Sequence, residues 1–205
     1  VVQTSMLLRA MLDALDDWAA QDRQPPESQV PKQNNGTLVT MDEWQQQFPA
    51  IPGVNVPRKP NSLPLYDYGP MAEHGILNLL PPAIKNKEGY TILVPAVDDD
   101  GNDIAGIRAP MVAAPLATYT GWNLRSYSFG EGAMHEFSGS TMKFPETDSI
   151  RNATGDPRRS ILTRYGDKNG YFEAIKQATE NLIQNRFLLE EDLLRVLELS
   201  REWCG

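Results

Sequence analysis

The sequence predicts an α+β fold from three observations: an amphipathic helix near the start, short apolar segments around a tight turn in the middle, and a helical pair at the end. A proline-dense stretch separates the first two. At 205 residues, 40% hydrophobic and 22% charged, the chain is long enough to bury one sizeable core, so a single structural unit is expected. Its parts are a helix in 1–24, an extended crossing in 25–88 and an α+β region in 89–205.

Leu8, Met11, Leu12, Leu15, Trp18 and Ala19 recur at helical spacing, with Asp13, Asp16 and Asp17 largely on the other side. That pattern makes 5–20 an amphipathic helix. Burying its five large apolar side chains returns about 1.5–3 kcal/mol each, whereas ordering its backbone costs ~1–2 kcal/mol per residue. The helix must therefore dock, either on the later helices or on a body upstream of this chain.

Eleven of the 16 prolines fall between Pro25 and Pro82. Proline lacks the N–H and restrains its predecessor, so regular helix and central strand are not expected there. Trp44, Phe48, Ile51, Leu63, Leu65, Tyr66, Ile76, Leu77, Leu79 and Leu80 punctuate the stretch with groups that need burial. This is a wrap over a large surface or an irregular part of one fold, not a disordered linker.

In the β region, 91–94 and 103–108 flank Asp98-Asp99-Asp100-Gly101-Asn102, a run of turn formers that predicts a hairpin. The aspartates lack the glycine position and the bidentate glutamate of a calcium loop, so a solvated turn is expected and no metal. Beyond Thr154 the chain reads as helical. Asp156-Pro157 reads as N-cap and first helical residue, and Gly166 as the closing residue. Phe172, Ile175, Ala178, Leu182 and Ile183 mark a second helix. Glu190-Glu191-Asp192 opens a third with Leu193, Leu194, Val196, Leu197 and Trp203, completing a helical hairpin.

A net charge of −8 excludes a phosphate-tracking surface, so nucleic acid is not a partner. No apolar run reaches the roughly 18 residues of a membrane span, and a soluble chain is expected. The single cysteine, Cys204, excludes an internal disulfide and a Cys-based metal cluster. No cofactor is expected.

No G-x-S-x-G pentapeptide, the strained turn that exposes a nucleophilic serine, occurs in the chain. Ser140-Thr141-Met142-Lys143 satisfies S-x-x-K, but Gly139 before it and Phe144-Pro145 after it argue against the helix such a pair requires. A strand or loop fits better. His74 and His135 are the only candidate histidine bases, and His135-Glu136 lies in a glycine-rich loop of the kind that carries functional residues. The best recognition segment is Tyr119-Thr120-Gly121-Trp122-Asn123-Leu124-Arg125. Its aromatics combine apolar faces with polar handles, Asn123 and Arg125 supply hydrogen-bond geometry, and Gly121 allows close approach. The alternative places the aromatics in the core and pairs Arg125 with an acid. The candidate substrate-binding residues are thus Tyr119, Trp122, Asn123, Arg125 and His135.

The helix LLRAMLDALDDW, the proline-rich crossing, the block VPAVDDDGNDIAGIRAPMVAAPLATYTGWNLR, the GSTMKFPET segment and the ending TGDPRRSILTRYG together resemble the C-terminal part of a large α/β-hydrolase-domain family of bacterial type. The resemblance spans nearly the whole chain. It implies a parent that hydrolyses esters or related acyl bonds by a serine mechanism, with nucleophile and triad histidine upstream of the first helix. No catalytic residue carries over to this sequence. Three readings follow: a non-catalytic scaffold or pocket wall whose partner is the upstream hydrolase domain, an independent binding or interaction module, and an autonomous hydrolase using Ser140 with Lys143 or His135.

Overall fold

The computed structural model describes residues 3–60, 63–86, 90–135 and 137–202; Glu136, Trp203 and Cys204 of the sequence reading lie outside them. The architecture is α+β, with seven α-helices and four two-stranded antiparallel sheets among the described residues. No helix among them is long and apolar enough to cross a membrane.

Helix α1 spans Ser5–Gln21 and ends at Asp22, whose left-handed backbone lets its own N–H reach the Trp18 carbonyl and the Arg23 N–H reach that of Asp17. It buries Met6, Leu7, Ala10 and Ala14. Met6 and Leu7 join Ala109, Ala114, Tyr171, Ile175, Leu188 and Val196 in the first core. Arg9 adds ion pairs to Asp192 and Glu191. The helix thus docks on the later helices, but not through the stripe its large side chains suggest. Leu8 and Leu12 are 62% and 68% exposed, and Met11, Leu15 and Trp18 also face solvent. The two small alanines decide this, because they allow the backbone to approach the core closely while larger residues are left outside. α1 carries two apolar faces, one of them unpartnered.

The crossing is less uniform than its prolines suggest. Strand β1 (Leu38–Thr40) runs into helix α2 (Met41–Gln47), which overturns the expectation that no helix forms in 25–88. The helix occupies a proline-free interval and begins with a capping box: Thr40 Oγ1 accepts from the Glu43 N–H and the Glu43 carboxylate accepts from the Thr40 N–H. Its Trp44, with Phe48 and Ile51 beyond it, joins Val39, Ala96 and Val97 in a second core, against which Trp122 and Met142 pack. The later part forms a separate hairpin of β2 (Leu65–Asp67) and β3 (Ala83–Asn86). No described side chain of residues 63–85 is buried.

Strand β4 (Leu93–Pro95) pairs with β1, Val39 opposite Val94, and not with 103–108 as expected. The turn itself forms, the Asp98 N–H donating to the Asn102 carbonyl at 2.8 Å. Among the described residues one bridge, Val97 to Asp103, continues beyond it. The Ile104 N–H still donates to the Ala96 carbonyl at 3.0 Å, after which 103–108 departs towards the short helix α3 (Pro110–Ala113). Then follow β5 (Ala117–Thr120), β6 (Asn123–Leu124), β7 (Met134–His135) and β8 (Ser140–Lys143), paired β5 with β8 and β6 with β7.

Three short or long helices close the chain before the last: α4 (Asp148–Thr154), α5 (Ile161–Tyr165) and α6 (Lys168–Gln184), with α7 (Leu193–Glu202) packed against α6. Gly166 closes α5 at φ 72° as expected. The cap at its start is Ser160, not Asp156: the Ser160 hydroxyl accepts from the Thr163 N–H at 3.1 Å. Asp156 is instead held by Arg158, a stronger partner than a helix N–H. α4 was not anticipated, and Thr147 caps it.

Candidate functional site

The segment 119–125 is positioned from beneath by the Asp-rich turn. Asn102 is fully buried; its side-chain amide donates to the Ala117 carbonyl at 3.2 Å and its Oδ1 accepts from the Tyr119 N–H at 2.8 Å. One side chain therefore stands in for a neighbouring strand along β5. Asp98 folds the turn around Asn102 by accepting from the Asp100 and Asn102 N–H groups, each at 3.0 Å, and pairs with Arg108. Gly101 is required: its φ is +78°, and a Cβ there would lie 3.0 Å from both Phe48 and Thr118.

On the other side, Arg158 is buried with all its contacts inside the protein. It bonds both oxygens of Asp156, the Thr118 hydroxyl at 2.9 Å, and the carbonyls of Met142 and Lys143 at 2.8 and 3.1 Å. Burial alone pushes the Asp156 carboxyl up, but the side-chain and backbone hydrogen bonds from Arg158, with its charge, outweigh that and hold it below the ordinary range. Arg164 pairs with Asp100 and stacks on Phe144, tying α5 to the turn. Of the three aspartates, Asp98 and Asp100 are thus engaged by arginines, and no metal-binding group of His, Cys, Asp or Glu occurs among the described residues.

Beyond β5 the chain turns at Gly121. The Thr120 hydroxyl donates to the Trp122 carbonyl at 2.7 Å, and the Ser140 hydroxyl donates to the same carbonyl at 3.2 Å. The turn presents Tyr119 and Trp122 to a cavity of about 250 Å³. Trp44 and Phe48 of the second core supply its aromatic wall, with Pro57, Val94 and Met134 around them. Trp122 meets Trp44 edge-on at 6.0 Å and Phe48 at 5.9 Å. Asp103 lines this cavity and also a second one of about 310 Å³ beside Leu7, Ala105 and Arg108; Tyr119, Thr120 and Gly121 form the partition. Loss of hydration raises both the Asp103 carboxyl, against the opposing charge of Arg108, and the Tyr119 phenol.

Of the residues singled out in the sequence, Tyr119 and Trp122 share this cavity. Asn123 and His135 are cross-strand neighbours in β6 and β7. Asn123 is exposed, and its Oδ1 accepts from the Leu124 N–H. His135 is half-buried, with Nδ1 3.1 Å from the Ser138 hydroxyl and its ring edge-on to Phe137. Arg125 is exposed, does not line the cavity and makes no ion pair among the described residues. His74 lies exposed in a single turn of 3₁₀ helix, Ala72–His74. Ser140 and Lys143 sit three apart on β8, and odd spacing on a strand sends them to opposite faces, so the lysine cannot activate the serine. Trp44 and Phe48, read in the sequence only as groups needing burial, and Asp103 were not recognised there as site residues. For the first two a signal existed, a Thr-x-x-Glu box followed by aromatics four residues apart.

A family model described as Alpha/beta hydrolase domain matches residues 1–198. The chain belongs to that family. The match takes in α1, the crossing, the cavity and most of α7, so the alpha/beta hydrolase domain assignment covers the whole candidate site. Comparison with curated proteins and with solved structures gives no match.

Proposed function

We propose that this chain is the scaffold and substrate-pocket wall of a serine-type α/β-hydrolase acting on esters or related acyl bonds, with catalytic residues supplied by an upstream hydrolase body. The observation that carries the reading is the cavity walled by Tyr119, Trp122, Trp44 and Phe48 in a member of the alpha/beta hydrolase domain family. Such a concave, mostly apolar pocket with few polar groups suits a small acyl or alcohol moiety. The non-catalytic role is supported by the lack of a G-x-S-x-G turn in the sequence and by Ser140, whose hydroxyl is turned to a backbone carbonyl. The upstream partner is supported by two unpartnered apolar surfaces, the outer face of α1 and the hairpin of β2 and β3.

Trp122→Ala in the full-length enzyme tests this. A lost pocket contact should lower kcat/KM about tenfold or more. Trp122 also packs on the second core, so the melting temperature is measured alongside. A variant that only melts earlier, with unchanged kinetic constants, would return Trp122 to a purely structural role.

A further inference from the structure

The aromatic cavity holds one full charge, and it is negative. Among the described residues that line it there is no lysine, arginine or histidine, and Asp103 is the only carboxylate. The Asp103 side chain makes no ion pair among the described residues. Arg108, the cation acting on it, is engaged by Asp98 at 2.9 Å and by the Val112 carbonyl at 2.9 Å. Although Asp103 is exposed as a whole, crowding strips enough water from it to raise its carboxyl, with the Asp98 charge acting in the same sense. A carboxylate without an ion-pair partner offers a cation a counter-charge at this position.

Asp103 shares the lining with four aromatic rings. Trp44, Phe48 and Trp122 form a triangle with centroid separations of 4.8, 6.0 and 5.9 Å, and Tyr119 completes the wall. The face of an aromatic ring carries the negative end of its quadrupole and attracts organic cations, tryptophan most strongly. Methionines 41 and 134 add polarizable surface without charge. The volume, about 250 Å³, is near the lower end of ligand sites. It therefore suits a small head group and not an extended chain. The acidic balance of the whole chain, −8, favours approach of the same class.

We infer that the cavity between Trp44, Phe48, Tyr119, Trp122 and Asp103 is a site for a small organic cation, a substituted ammonium group. This rests on the proposed reading of the cavity as a substrate wall, to which it adds that the substrate moiety seated there is cationic. It does not rest on hydrolysis.

The test is binding to the 205-residue chain, followed by tryptophan fluorescence and calorimetry. The probes are benzyltrimethylammonium and its uncharged tert-butyl isostere, neopentylbenzene. The ammonium probe should bind more tightly than the neutral one. Asp103→Asn should weaken the ammonium probe by about tenfold, the factor corresponding to 1.4 kcal/mol of lost attraction, and leave the neutral probe unchanged. Trp122→Ala should weaken both, with Trp122→Phe recovering part of the loss. Equal binding of the two probes, unaffected by Asp103→Asn, overturns the cation assignment while leaving an apolar substrate wall intact. Failure of both probes to bind overturns the cavity as a ligand site and the pocket-wall reading with it. The comparison of the two probes on the unsubstituted chain needs no variant, so misfolding of one cannot shelter the idea.

Discussion

Replacing Arg158 by methionine, similar in length but without a donor, removes five side-chain hydrogen bonds at once. Two go to Asp156, one each to Thr118, Met142 and Lys143. The Asp156 carboxylate keeps only the Arg158 backbone N–H, at 2.9 Å. The Arg158 and Asp156 side chains are 2% and 8% exposed, so water cannot replace what is lost. Breaking a buried pair from one side costs about 3–5 kcal/mol, a large fraction of the ~5–15 kcal/mol that holds a domain together. With a urea m value of ~2–3 kcal/mol/M, the unfolding midpoint should fall by roughly 1–2.5 M. The assay is urea unfolding followed by near-ultraviolet circular dichroism. If the penalty comes from an orphaned charge, Asp156→Leu in the Arg158→Met background should recover part of it, a positive coupling in a double-mutant cycle. An Arg158→Met cost below about 1 kcal/mol would refute the reasoning. So would a double variant no more stable than the single one, because the carboxylate would then not be the source of the loss.

Three further outcomes are expected. Asp156 has a folded-state carboxyl held below its ordinary value of 3.8, so its stabilisation is complete above that value and is lost as pH falls through the depressed one. Urea midpoints between pH 5 and pH 2 should therefore fall less steeply for Asp156→Asn than for the unsubstituted chain, and an unchanged slope would count against it. Leu8→Glu with Leu15→Glu should leave the near-ultraviolet signal intact, because both sites are more than half exposed, and should make the isolated chain more monomeric by light scattering. Loss of the signal would mean that this face of α1 is buried after all. The 205-residue chain should not turn over p-nitrophenyl acetate above background, and serine-reactive phosphonate should not label Ser140, which lacks a base on its own face of β8; labelling abolished by Lys143→Ala would reverse that conclusion.

What the sequence determined by itself is whatever local pattern dictates. The two closing helices were legible from the spacing of Ile175 and Leu182 and from the acidic opening at residues 190–192, and both end up packed together. The turn at 98–102 and Gly166 as a helix stop were equally legible, because turn formers and glycine with positive φ act within a few residues, and flanking proline excluded helix at 140–143 while leaving strand or loop open. The family resemblance was readable too, and residues 1–198 bear it out at the level of the alpha/beta hydrolase domain.

Only the tertiary structure decided which of two apolar faces α1 buries. Periodicity weighs side-chain size, whereas packing rewards Ala10 and Ala14 for the close approach they permit. It alone paired β4 with β1 across more than fifty residues, a choice that hydrogen-bond geometry makes and composition does not record. It gave Asn102 the place of a strand and Arg158 the place of a core residue, roles that exist only once distant carbonyls converge on them. The candidate site has the same origin. Tyr119 and Trp122 were visible as a segment, but Trp44, Phe48 and Asp103 reach them only through the fold, because a cavity is a relation between surfaces and no single stretch of chain encodes it.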